Sequence, residues 1–89
     1  MRKSTTLSQG NTVDAVQCRM ARAALQMGVR ELAEAANVSP TTITRLERGE
    51  ALYPRTIQAI RYVLEAAGIE FVPENGGGAG VRLKKHEAC

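Results

Sequence analysis

The chain has 89 residues, of which 44% are apolar, and its only aromatic residues are Tyr53, Tyr62 and Phe71. That length supports one modest core and excludes two independently stable domains. A core drawn from Leu, Ile, Val, Met and many alanines favours packed helices. Twelve Lys and Arg against nine Asp and Glu give a net charge of +3, which suits a polyanionic partner without requiring one.

Positive charge is unevenly spread, with four basic residues and one acid from Met1 to Ala23, and four arginines against Glu47 and Glu50 from Val38 to Tyr62. No apolar run approaches membrane-spanning length, and Met1 to Asn11 lacks the apolar stretch of a secretory signal. The expected place is therefore the cytoplasm, in association with the nucleoid, with no membrane partner. Cys18 and Cys89 have no nearby Cys or His at metal-ligand spacing, so neither a metal nor a cofactor is expected, and Cys18 reads as core packing.

In chain order, residues 1–12 are rich in Ser, Thr, Gln, Gly and Asn without an apolar period and read as a disordered tail. Asp14 and Gln17 have the spacing of an acidic capping box. Val13, Val16, Met20, Ala23, Ala24 and Met27 then recur at helical intervals, which predicts a first helix over about Asp14 to Met27. Gly28 breaks it. Val29, Leu32, Ala33 and Ala36 restart the period on a shorter helix ending near Asn37, a residue that tolerates the left-handed turn conformation.

Ser39-Pro40 is a helix start: the Ser side chain accepts an early amide, and Pro loses nothing at the first helical position. The third helix runs from about Pro40 to Arg48, carries few apolar residues (Ile43 and Leu46) and stops at Gly49. Pro54 or Thr56 opens a fourth helix, with Ile57, Ile60, Leu64 and Ala67 on one stripe, ended by Gly68. Residues 69–72 and 81–84 alternate weakly around the turn-rich stretch 73–80 and predict two antiparallel strands. The fold class is thus mainly α: a compact four-helix domain over 13–68 containing a helix-turn-helix, a short C-terminal β-hairpin over 69–85, and a flexible end over 86–89.

Two short helices joined by three or four residues, the second carrying Thr41, Thr42, Thr44, Arg45 and Arg48, have the helix-turn-helix pattern. An α-helix fits the major groove of B-DNA. Its N-terminal side chains reach base edges: a Thr methyl packs on thymine, and Arg pairs with guanine through two hydrogen bonds. The bland reading, a wet face of an amphipathic helix, accounts less well for three threonines, because exposed helix faces favour Glu, Lys and Gln.

The run Glu31-Leu32-Ala33-Glu34-Ala35-Ala36-Asn37-Val38-Ser39, followed by Thr42-Ile43-Thr44-Arg45-Leu46-Glu47-Arg48-Gly49, resembles the Cro and phage-repressor type helix-turn-helix family. The likeness spans about Gln17 to Ala67, and the whole chain looks like the short members of bacterial chromosomes and mobile elements. The resemblance implies that Pro40, Thr41 and Arg45 contact bases with Thr42 and Thr44 beside them. Ser39, Arg30, Arg48 and Arg55 would meet phosphate or the minor groove. It also implies a structural ion pair between Arg22 and Glu47. Two positions depart from the family: Val29 replaces its usual Gln, leaving Gly28 and Arg30 to supply any phosphate contact there, and Asn37 replaces its usual Gly.

The glycines between Gly76 and Gly80 are followed by no Gly-Lys-Ser/Thr and read as a hairpin loop rather than a phosphate cradle. His86 stands alone, so no active site and no enzyme activity are expected. The leading expectation is a homodimeric regulator on a palindromic site in double-stranded DNA. The hairpin either offers its edge to a second copy or folds onto its own helices. The alternative is a protein-binding antitoxin or anti-activator on the same scaffold, gripping a protein partner.

Overall fold

A computed structural model describes residues 13–73 and 76–84; the expected tail at 1–12 and the end at 86–89 lie outside them. The order is α1 (Ala15–Leu25), α2 (Val29–Ala36), α3 (Pro40–Glu47), α4 (Pro54–Ala66), β1 (Ile69–Val72) and β2 (Gly80–Leu83). This is the expected helical domain with a C-terminal hairpin.

Each helix starts where its chemistry asks. The Asp14 carboxylate accepts the Gln17 amide at 2.8 Å while the Gln17 side chain accepts the Asp14 amide at 3.1 Å, closing the capping box. Ser39 Oγ accepts the Thr42 amide at 3.2 Å, and Pro40 and Pro54 take first helical positions. Asn37 ends α2 in the left-handed region at φ 60°. The end of α1 differs from expectation: Gln26, not Gly28, takes the left-handed turn at φ 56°, which stops the helix at Leu25 and leaves Gly28 to cap the start of α2.

Leu32, Ile43, Ile60, Leu64, Ile69 and Cys18 are fully buried and draw all four helices and β1 into one core. The expected stripe on α1 is misphased, however. Val16, Ala23 and Ala24 are exposed, and the buried face is Gln17, Cys18 and Ala21. Val13 and Met27 lie outside the helix proper, so their apolar character does not set its phase.

The strands pair antiparallel with Ile69 opposite Leu83 and Phe71 opposite Val81, and β2 begins one residue earlier than its alternation indicates. The hairpin lies on its own helices. The Gln17 side chain donates to the Val72 carbonyl at 3.3 Å and the Gly80 carbonyl at 3.1 Å, which ties the hairpin's turn end to α1. On the other side the Arg61 guanidinium of α4 sits 4.7 Å from the Phe71 ring centroid.

Candidate nucleic-acid interface

Helix α3 separates its residues sharply. Ile43, Leu46 and Glu47 are buried, whereas Pro40, Thr41, Thr44 and Arg45 are exposed, as is Arg48 at the C-cap. The three threonines are not equivalent. Thr42 Oγ1 lies 3.0 Å from Ser39 Oγ, and Thr44 Oγ1 donates to the Pro40 carbonyl at 3.2 Å, so both hydroxyls are engaged within the helix. Thr41 has no such partner among the described residues, and its hydroxyl stands open to a ligand at the helix N-terminus.

The inner side of α3 is fixed by charge. Arg22 of α1 meets Glu47 through two parallel hydrogen bonds, Nε to Oε2 at 2.7 Å and Nη2 to Oε1 at 2.8 Å, a fork-to-fork geometry that specifies orientation as well as attraction. Arg22 Nη1 also donates to the Met27 carbonyl at 3.2 Å, and Arg19 Nη2 donates to the Glu47 carbonyl at 2.7 Å. Burial by itself raises the Glu47 carboxyl. The hydrogen bonds from Arg22 and Cys18 outweigh it and hold the group below its ordinary value. The same joint pushes the Cys18 thiol up to about 12, first through burial and then through its hydrogen bond to Glu47. At neutral pH Cys18 is therefore a protonated, unreactive thiol beside an ionised carboxylate.

The far end of α3 carries a second charged cluster. Gly49, at φ +86°, turns the chain so that the Glu50 amide donates to the Arg45 carbonyl at 3.0 Å. The Glu50 carboxylate then takes Arg45 Nε at 3.0 Å on one oxygen and Arg48 Nη2 at 3.2 Å on the other. Neither this cluster nor the reach of Gln17 and Arg19 is visible in the sequence. The first needs the turn at Gly49 to fold Glu50 back, and the other two need tertiary contacts.

Beside α3 lies an open hollow of about 680 Å³, in which Ser39, Thr42 and Arg45 face Leu52, Tyr53 and Thr56. Tyr53 also lines a second hollow of about 410 Å³ with Pro54 and Arg55. The two hollows share Tyr53 and between them are lined by Ser39, Thr42, Arg45 and Arg55, from the start of α3 to the start of α4. Arg30 lines neither hollow. It is exposed near the start of α2, where the Gly28 amide already donates to Glu31 Oε1 at 2.7 Å. Of the two stand-ins for the family's Gln, only Arg30 presents an open donor.

A largely buried pair thus fixes the inner side of a short helix whose outer face is left to Thr and Arg. Residues 19–62 match the family model described as Helix-turn-helix. The chain carries a Cro/C1-type helix-turn-helix domain. The helix-turn-helix match spans α2 and α3 together with most of α1 and α4, which is the expected set, and it supports a DNA-binding regulator. The hairpin lies outside the matched residues. No curated protein matches the chain significantly. No described helix is long and apolar enough to cross a membrane, and the described residues contain no group of His, Cys, Asp and Glu able to hold a metal ion.

Proposed function

We propose that the protein is a sequence-specific transcriptional regulator of double-stranded DNA that places α3 in the major groove. The observation that carries this reading is the division of α3: one face locked by Arg22 and Glu47, the other presenting Pro40, Thr41, Thr44 and Arg45 to solvent. Thr41 and Arg45 read base edges. Pro40 and Thr44 offer apolar contact, and Thr42, with its hydroxyl on Ser39, supports them. Ser39 and Arg55 meet the sugar-phosphate strand along the two hollows, Arg48 meets it at the exposed C-cap of α3, and Arg30 meets it at the start of α2.

The protein acts as a homodimer on a palindrome, because one eight-residue helix reads only a few base pairs. Two copies related by a two-fold axis place their helices one helical turn apart, about 34 Å. Although docked on its own helices, the hairpin supplies the contact between copies through the face it leaves exposed. Its docking on α1 and α4 leaves Leu83 half exposed, with Tyr62 on α4 also exposed. Leu83→Lys is expected to convert a sedimenting dimer to monomer, and an unchanged dimer would remove the hairpin from the interface.

Selection from a random duplex library near physiological salt tests the whole reading. A palindromic winner preferred about a thousandfold over a scrambled duplex is expected. Arg45→Ala is expected to cost about 1 to 3 kcal/mol on that winner and relax one base position, whereas Arg55→Ala weakens all duplexes alike. Weak binding that is equal for both duplexes and vanishes with salt would replace this reading by one in which the scaffold grips a protein.

A further inference from the structure

The cluster at the end of α3 has a feature that charge screening alone does not need: Glu50 is tied to Arg45 twice. Its amide donates to the Arg45 carbonyl at 3.0 Å, and its carboxylate accepts from Arg45 Nε at 3.0 Å. The second carboxylate oxygen accepts from Arg48 Nη2 at 3.2 Å, so the carboxylate is held on both sides. A guanidinium has a side edge, made by Nε and one terminal nitrogen, and an end edge made by the two terminal nitrogens. Glu50 takes Arg45 on the side edge, at Nε. The two terminal nitrogens at the end are the ones that would pair with guanine O6 and N7.

We propose that Glu50 is a specificity-determining positioning residue, which grips the side edge of Arg45 and presents its terminal nitrogens as a fixed fork for guanine. The proposal rests on the reading of α3 as the base-contacting helix. It follows from geometry in three ways. An exposed arginine otherwise samples many rotamers, and a side chain fixed before binding loses less freedom on forming its base pair contact. The left-handed turn at Gly49 and the Glu50 amide place the carboxylate without help from DNA. Finally, Glu50 reduces the charge of the Arg45, Arg48 and Glu50 group from two positive charges to one. Attraction to phosphate of any sequence therefore falls while the directed contact is kept.

The test uses the full-length protein, the duplex recovered by selection and a scrambled duplex, with Glu50→Gln, Glu50→Asp, Arg45→Ala and the Arg45→Ala/Glu50→Gln double variant. Glu50→Gln is expected to bind the scrambled duplex severalfold more tightly and the selected duplex no more tightly. The ratio between them should fall by at least that same factor, with preference relaxing at the base pair that Arg45→Ala relaxes. Glu50→Asp keeps the charge but shortens the reach by one methylene, and it is expected to lower the ratio without raising scrambled binding. The double variant should be no less selective than Arg45→Ala alone, as coupled residues require. A Glu50→Gln protein that binds both duplexes more tightly by one factor, or that binds both as before, would overturn the proposal and leave Arg45 as reader. An Arg45→Ala protein that keeps its preference would overturn the base-reading role and this proposal together.

Discussion

The two arginine–glutamate clusters of α3 use the same side chains in opposite surroundings. At the inner face Arg22 and Glu47 keep only 22% and 9% of their side-chain surface exposed; at the outer end Arg45, Glu50 and Arg48 keep 53%, 41% and 59%. Their closest contacts differ little, 2.7 Å against 3.0 Å, so distance does not distinguish them. Water does. A largely buried pair is costly to break from one side, because the surviving charge stays mostly out of water without its partner. A pair in open water exchanges one set of hydrogen bonds for another at small cost. The inner cluster therefore belongs to the fold, and the outer one is free to serve binding.

The sharpest way to break this comparison is to remove one inner partner. Glu47→Ala should lower unfolding stability by about 3 to 5 kcal/mol in urea titration, since Arg22 keeps only the Met27 carbonyl and Cys18 loses its acceptor. Replacing both partners together, as Arg22→Met with Glu47→Leu, should recover most of that loss, and failure to recover would mean that α3 needs the pair for more than burial. The joint also sets opposite responses to pH. The folded Glu47 carboxyl lies below its ordinary 4.5, so its contribution is present above that value and is lost as pH falls through the lower folded value. The folded Cys18 thiol lies above its ordinary 9.0, so its contribution is complete below 9.0 and is lost as pH rises from 9.0 to about 12. Urea midpoints across both ranges check the signs, and Cys18→Ala should abolish the alkaline arm.

A smaller effect separates the helical domain from its hairpin. Gln17 is only 5% exposed, and its amide group donates to the Val72 and Gly80 carbonyls. Gln17→Ala should cost about 1 to 3 kcal/mol. Amides of residues 69–72 and 80–83 should lose protection from hydrogen exchange while those of α2 and α3 keep theirs. Equal loss throughout would show that hairpin and helices unfold as one unit.

Gln17 also marks where the sequence stops being legible. Its place three residues after Asp14 announces a capping box, and the box is there, but nothing local announces a buried side chain reaching 55 and 63 residues along the chain. Helix starts at Ser39 and Pro54 are legible because a cap or a proline acts within one turn. The end of α1 is not, because glutamine is no signal for a left-handed residue. The outward threonines and arginines of α3 could be picked out from composition and spacing, and the Arg22–Glu47 pair from family resemblance. The grip of Glu50 on Arg45 could not. Residues five apart do not meet on a helix, and only the turn at Gly49 brings them together.

The smallest expected effect sharpens the comparison most. Glu50→Gln removes a charge that touches two arginines, yet stability should change by no more than about 0.5 kcal/mol, because all three side chains stay in contact with water and the Arg45 carbonyl keeps its main-chain bond to residue 50. Circular dichroism and urea midpoints measured beside Glu47→Ala supply the reference. If Glu50→Gln proves as destabilising as Glu47→Ala, the outer cluster is part of the fold, and any change it makes in DNA preference would follow from a displaced α3. A near-zero effect on stability, combined with a lower ratio of selected to scrambled binding, leaves the aim of Arg45 as the quantity that changed. One carboxylate at the end of α3 would then fix the helix's seat, and another, folded back just beyond it by the turn at Gly49, would fix the reach of Arg45.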